Sequence, residues 1–256
     1  MTSQEEPAGF ATMPAVAATT VVISGAGSGI GRAAARLLAA EGHSVVAVGR
    51  RGEALAETAS AAPERIRSCR VDVVDAGALA TALADATTGL PPVGYCIAAA
   101  AQYARGHFLD MRPETFSAMI RANVEGVANL LRLILPGMIE RRFGRIVVVG
   151  SLADMNPIPG AAGYSASKGA LHALVRGIAG EIDPTRHPNV LINELSPGAT
   201  RTAMSDRGKE PQDVFPDIRR LLHLPEGGPT GRFYLENREI RLGESWKQAL
   251  RRRIGL

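Results

Sequence analysis

Tyr164, Lys168 and Ser151 combine residue types and spacing that could move a proton. The stretch reads Gly-Ser-Leu-Ala-Asp-Met-Asn-Pro-Ile-Pro-Gly-Ala-Ala-Gly-Tyr-Ser-Ala-Ser-Lys from Gly150 to Lys168. On a helix, residues i and i+4 share a face, so the phenol and the ammonium would project into the same space. An ammonium favours the phenolate and lowers the cost of passing a proton through the tyrosine. Among 29 basic residues only Lys168, Lys209 and Lys247 are lysines, and there are four tyrosines. A lysine one helical turn beyond a tyrosine is therefore an uncommon coincidence in this composition.

A second cluster carries binding chemistry. Ser24-Gly25-Ala26-Gly27-Ser28-Gly29-Ile30-Gly31 follows a short apolar run and opens into a helical pattern. Glycines there permit a tight turn and let the backbone approach a pyrophosphate, which rests on the positive helix end. A plain strand-to-helix turn would need fewer of them.

The elements that must position these groups alternate along the chain. Strands are expected at Thr20–Ser24, His43–Val48, Ile66–Val73, Val93–Ala99, Arg145–Val149, Val190–Leu195 and Arg232–Leu235. Helices are expected at Ser28–Glu41, Glu53–Ala61, Ala76–Ala86, Pro113–Arg142 (one or two) and Ala162–Glu181. Alternation of this kind means an α/β fold, a parallel sheet covered by helices on both faces. The expectation is a single-domain, Rossmann-like, doubly wound sheet of about seven strands in the order 3-2-1-4-5-6-7. Residues 1–18 read as a flexible arm, 19–242 as the nucleotide-binding catalytic domain and 243–256 as a basic tail, with a surface helix around Trp246–Arg253. Cys69 and Cys96 fall on the third and fourth strands, about three spacings of ~4.8 Å apart, too far for a disulfide.

Gly25, Gly29 and Gly31 in Gly-x3-Gly-x-Gly spacing, followed by Tyr164-x3-Lys168, resemble the classical short-chain dehydrogenase/reductase family. The resemblance runs from about Thr20 to Leu242. It implies an active site of Asn123, Ser151, Tyr164 and Lys168. Tyr164 would donate a proton to a carbonyl oxygen and Ser151 would hold that oxygen. Lys168 would bind the nicotinamide ribose and depress the tyrosine pKa, and Asn123 would support a water linking Lys168 to solvent. The chemistry stands independently, since hydride arriving at a carbonyl carbon leaves a developing alkoxide that needs a donor and a proton. Singly, Ser151 could cap a turn and Asn123 could be a helix-surface residue.

The same resemblance assigns cofactor contacts to Gly25, Gly27, Ser28, Gly29, Ile30 and Gly31 in the first loop and to Asp72 and Val73 after the third strand. It further assigns Ala99 beside the adenosine ribose, Tyr164 and Lys168 themselves, and Pro197, Gly198, Thr200 and Thr202 after the sixth strand. Thr202 would hold the carboxamide, with the backbone near Ala199 edging the nicotinamide. NAD-selective enzymes usually end strand two with an acidic residue for the ribose hydroxyls. Gly49-Arg50-Arg51 stands there instead. A guanidinium binds a phosphate through two hydrogen bonds, so NADP(H) is the expected cofactor. Left to themselves, Arg50 and Arg51 could be solvated loop charges.

Two departures stand out. Where the family commonly has Asn-Asn-Ala-Gly after strand four, this chain has Ala98-Ala99-Ala100-Ala101. Bracing amides are lost, but small size is kept. Second, Leu224-Pro225-Glu226-Gly227-Gly228-Pro229-Thr230-Gly231-Arg232-Phe233 is similar to the carbonyl-reductase-type branch and implies a short substrate lid. Leu152, Ala153, Met155, Tyr103, His107 and Met204 are the candidates for the pocket edge. Most are apolar, pointing to a hydrophobic ketone or aldehyde, although several could be plain packing residues.

The expected activity is NADPH-dependent carbonyl reduction. The alternatives are an oxidative NADP-dependent alcohol dehydrogenase and a non-catalytic NADP(H)-binding regulator. Net charge is +4 and aromatics are 4%; the arginine clusters are short and scattered, so a nucleic-acid partner is not expected. No apolar run approaches the ~20 residues of a membrane helix, and Glu5 and Glu6 do not suit a signal peptide. A cytoplasmic location is expected. The five histidines show no metal-ligand spacing with each other or with the cysteines; His172, two turns beyond Tyr164, reads as a core or subunit-contact residue. By the family's pattern the helices bearing Asn123 and Tyr164 form homodimer or homotetramer faces.

Overall fold

Thr20–Ser24 (β1) is buried along its whole length, and its β-branched run Thr-Val-Val-Ile suits a strand covered on both sides. The computed structural model describes residues 18–241; the expected N-terminal arm and basic tail lie outside them, apart from Ala18. From β1 the chain runs through α1 (Gly29–Ala40), β2 (Ser44–Gly49), α2 (Gly52–Ala59), β3 (Ile66–Arg70), α3 (Ala76–Thr87) and β4 (Val93–Ala98). It continues through α4 (Pro113–Ile120), α5 (Gly126–Glu140), β5 (Gly144–Val149), α6 (Ala162–Glu181), β6 (Val190–Ser196), α7 (Phe215–Leu222), β7 (Phe233–Leu235) and β8 (Arg238–Ile240).

The sheet order is β3-β2-β1-β4-β5-β6-β7-β8, parallel except for the β7–β8 pair. Through β7 this is the expected order. β8 is additional: a three-residue edge strand paired antiparallel to β7. Period-two alternation sends Val22, Val46, Cys96, Ile146, Val148 and Ile192 against α3, α5 and α6. It sends Val21, Ile23, Val45, Ile97, Val147 and Leu195 against α1, α2 and α7. Cys69 and Cys96 are free and buried on strands that are not neighbours, and burial raises both thiols, Cys96 to about 12.

Three local features refine the sequence reading. The long helical region splits into α4 and α5 around a π-helical turn at Arg121–Glu125. Second, α7 had no counterpart in the expected elements. Third, Arg145 does not break the burial of β5. Its guanidinium donates to the carbonyls of Gly144, Asn189 and Leu224 and to Asn189 Oδ1, so the charge is enclosed by acceptors.

Candidate active site

The carboxyl ends of β1, β4, β5 and β6 meet in one crevice, at the point where the strand order reverses. At its floor the first glycine loop turns from β1 into α1. Gly25 has φ +70°, and a Cβ there would stand 2.7 Å from Ala100 N and Ala99 O. A side chain at Gly31 would overlap the Gly25 carbonyl. Both positions are thus closed to larger residues by the backbone itself. The first-turn N–H groups of α1, like those of any helix, have no intrahelical partners, and Ser28 makes no side-chain cap on them.

The groove beside this turn is lined by Gly25, Gly27, Ser28, Arg50, Arg51, Asp72 and Val73, all expected cofactor residues. Gly49, Ala100 and Ala101 line it too. Ala99 does not; its carbonyl abuts Gly25. Ser24 Oγ accepts from Ala100 N at 3.2 Å, so the alanine run is tied to β1 through the chain rather than through side-chain amides. Arg51 donates to Ser28 Oγ at 3.2 Å. Arg50 is exposed and 3.7 Å from Asp72 Oδ2. Gly29, Ile30 and Gly31 form the first turn of α1. Thr202 approaches from the loop after β6, its methyl 3.1 Å from where a Gly29 Cβ would lie. Pro197, Gly198 and Thr200 lead into that loop, with Gly198 at φ +70° and Thr200 buried. The residues present fit a dinucleotide: a glycine turn with no room for side chains, free helix-end donors and two guanidinium groups beside the groove.

On the other side of the crevice α6 carries Tyr164 and Lys168 on one face. Lys168 is buried, and its Nζ donates to the Val149 carbonyl at 2.8 Å. Burial brings its pKa down to about 8, opposed by the Glu194 carboxylate. Nζ lies 5.8 Å from the centre of the Tyr164 ring. Burial pushes the Tyr164 phenol up, and its hydrogen bond with Ser151 draws it partly back. The phenol is therefore held protonated at neutral pH. Ser151 Oγ also accepts from Ala153 N at 3.1 Å, which fixes the hydroxyl at the start of the loop after β5.

Asn123 sits at the π-helical turn, fully buried, a type of helix irregularity frequent at functional sites. It accepts from Gln102 N at 2.7 Å and donates to Gln102 O at 3.0 Å and to Ser167 Oγ at 2.8 Å. It thereby ties the loop after β4 to α6. The next residue, Tyr103, packs edge-on against Tyr164 with ring centres 5.0 Å apart. Of the other pocket candidates, Leu152 is partly buried, Met155 and Met204 are exposed, and Ala153 is buried as a brace for Ser151. His107 is exposed at the start of a short 3-10 turn.

Sequence reasoning missed a group behind the lysine. His172 Nδ1 is 2.6 Å from Glu194 Oε2, and its Nε2 is 2.9 Å from Asp154 Oδ2. The signal was available: Glu194 occupies a β6 position on the face of Val190 and Ile192, toward α6, where a buried residue is required. His172, expected as a core or subunit-contact residue, is a core residue whose pKa the two carboxylates raise. No cluster of potential metal ligands occurs among the described residues.

The likeness to known proteins spans most of the chain. A family model described as short chain dehydrogenase matches residues 19–213. Oxidoreductase UcpA of Salmonella typhimurium is 31% identical over 214 residues, covering 80% of each chain. An uncharacterized oxidoreductase of Staphylococcus aureus is 29% identical, covering 80% of this chain and 90% of that one. Among solved structures, a short-chain dehydrogenase from Streptomyces avermitilis superposes with a TM-score of 0.76 at 27% identity, covering 86% and 88%. One described as a putative betaketoacyl-ACP reductase gives 0.75 at 28%, covering 85% and 95%. With the crevice, the glycine turn and the Ser151–Tyr164–Lys168 face already in place, this match over most of the described residues shows that the chain belongs to the short-chain dehydrogenase/reductase family, oxidoreductases that use a nicotinamide cofactor.

Proposed function

We propose that the protein reduces a hydrophobic ketone or aldehyde to an alcohol with NADPH. The observation that carries this reading is the half-buried Tyr164 phenol beside Ser151, kept protonated by its surroundings, with the Lys168 ammonium 5.8 Å from its ring. A bound reduced nicotinamide would supply the hydride. Ser151 donates to the carbonyl oxygen and fixes its position. Tyr164 passes its proton to that oxygen as negative charge develops there. Lys168, charged, lowers the cost of leaving the tyrosine briefly as phenolate. Gly25, Gly27 and the first turn of α1 would hold the pyrophosphate, and Thr202 the carboxamide. The exposed apolar residues Phe108, Met155, Ile158 and Met204 stand on the loops after β4, β5 and β6, at the strand ends that open on the crevice, which favours an apolar substrate. We further propose a cytoplasmic homodimer or homotetramer built on the α4, α5 and α6 faces; no described helix is long and apolar enough to cross a membrane.

Arg50 and Arg51 support NADP(H) over NAD(H), since both line the groove where the 2′-phosphate would lie. Gly49 tests this cleanly: a Cβ there meets the Leu55 side chain at 3.4 Å or more, an ordinary contact. The double variant Gly49→Asp/Arg50→Ala is expected to weaken NADPH binding by at least about tenfold, the loss of one charge-assisted contact, and to favour NADH. Titration by nicotinamide fluorescence reads this, and an NADPH preference that survives the swap sinks the assignment.

Lys168 also predicts a pH dependence. Its lowered pKa, about 8, means that the ammonium is lost as pH rises through that value, so kcat/KM is expected to fall on the alkaline side. Stability responds in the opposite sense. Because the folded pKa lies below the ordinary lysine value, the unfolded chain binds more protons between the two, and this group's contribution to stability grows with pH through that window. A pH–rate profile still flat at pH 10 would contradict the assignment.

A further inference from the structure

Lys168 is more deeply enclosed than a catalytic ammonium can be without a counter-charge. Of its three N–H donors, one is used on the Val149 carbonyl. The negative group acting on it, from beyond ion-pair distance, is Glu194, 1% exposed on β6. Glu194 Oε1 is buried without a hydrogen-bond partner and lies over the Cα of Gly150, where a side chain would overlap it. Gly150 follows the residue whose carbonyl holds Lys168 and precedes Ser151. The other oxygen, Oε2, meets His172 Nδ1 at 2.6 Å. The far nitrogen of the ring meets Asp154 at 2.9 Å, in the loop that begins at Ser151. Asp154, with a side chain 21% exposed, ends the chain toward solvent. The histidine is one helical turn beyond Lys168, so Tyr164, Lys168 and His172 form one i, i+4, i+8 stripe along α6.

Nδ1 is hydrogen-bonded to Glu194, whereas Nε2 lies within ion-pair distance of Asp154 without a hydrogen bond to it; a carboxylate beside each nitrogen favours the imidazolium. Burial works against that charge, but the hydrogen bond and charges of Glu194 and Asp154 outweigh it and raise the ring's pKa. Burial raises the Glu194 carboxyl, and His172 and Lys168 draw it back; with both carboxylates ionised, the three groups carry one net negative charge, which matches the lysine. The charged groups acting here, among the described residues, are Lys168 and His172 from α6, Glu194 from β6 and Asp154 from the loop after β5. The neighbouring strand β7 contributes the uncharged Phe233 ring, 4.3 Å from His172.

We propose that Asp154, His172 and Glu194 form a positioning triad that keeps Lys168 an ammonium and ties α6 to the Ser151 loop. The proposal rests on the role given to Lys168 above, but its charge state can be measured without substrate or cofactor. With three lysines in the chain, uniform 13C-lysine labelling of the full-length protein gives three side-chain signals, and Lys168→Met assigns the one that matters. In Glu194→Gln the Lys168 titration midpoint is expected to fall by roughly one pH unit or more, as for removal of a close opposite charge. In His172→Gln, where the intervening positive charge is lost, it is expected not to fall. Asp154→Asn, altered at the accessible end, is expected to give a smaller fall and serves if Glu194→Gln does not fold. An unchanged midpoint in Glu194→Gln, or in Asp154→Asn where that variant replaces it, overturns the proposal, as does a fall in His172→Gln of the same size as in Glu194→Gln. Loss of carbonyl turnover with these midpoints as expected would count against the proposed function, not against the triad.

Discussion

Tyr164→Phe is expected to lower kcat by roughly 10²–10⁴-fold, the range over which a positioned general acid acts, while cofactor binding changes little. The variant removes one hydroxyl. The ring keeps its edge-on contact with Tyr103, and Lys168 keeps its anchor on the Val149 carbonyl, so the crevice retains its shape. What disappears is the Tyr164 phenol proton beside Ser151. Stability should change by no more than about 1 kcal/mol, since the lost interaction is a single hydrogen bond at the crevice wall. Steady-state kinetics with thermal unfolding of the same preparation checks this. A phenylalanine variant with near-native turnover would remove Tyr164 from the mechanism.

Asn123→Ala is expected to produce the largest loss of stability of any single change at the site. The side chain is fully buried and makes three hydrogen bonds, two to the backbone of Gln102 and one to Ser167. Truncation leaves those partners unsatisfied at ~1–3 kcal/mol each, with partial relaxation giving a net loss of about 3 kcal/mol or more. For a domain of this size that lowers Tm by roughly 6–12 °C. The damage should also reach function, because Gln102 precedes Tyr103, which packs on Tyr164; KM is expected to rise as that wall loosens. Differential scanning calorimetry gives the answer, and an unchanged Tm would mean that the Gln102 loop is held by something else.

Features written locally in the chain could be read from it. The continuous apolar strands β1 and β5, the glycine turn and the 20-residue helix α6 depend on neighbours in sequence; the strand order through β7 is what the family resemblance implied. Features decided by long-range contacts could not. β8 has only three residues, two of them charged, and its hairpin turns through Glu236 at φ +53° without the glycine that normally marks such a turn. The π-helical turn at Asn123 is invisible in a helical pattern that continues through it. Helix α7 was legible in principle: Pro216 stands in its first turn, and Phe215, Ile218, Leu221 and Leu222 carry the helical spacing of its buried face. At the site, the Ser151, Tyr164 and Lys168 positions converge because one strand end and one helix face carry them. Glu194 and Asp154 were overlooked because their partner, His172, lies 22 residues before the glutamate and 18 after the aspartate.

The most direct test of the account follows NADPH oxidation by the purified wild-type protein across a panel of apolar ketones and aldehydes, read from the absorbance of the reduced nicotinamide. The account predicts that at least one apolar carbonyl compound is consumed in step with NADPH, one alcohol formed per cofactor oxidised. Saturable NADPH binding with no oxidation by any member of the panel would contradict it and leave a nucleotide-binding protein without this chemistry.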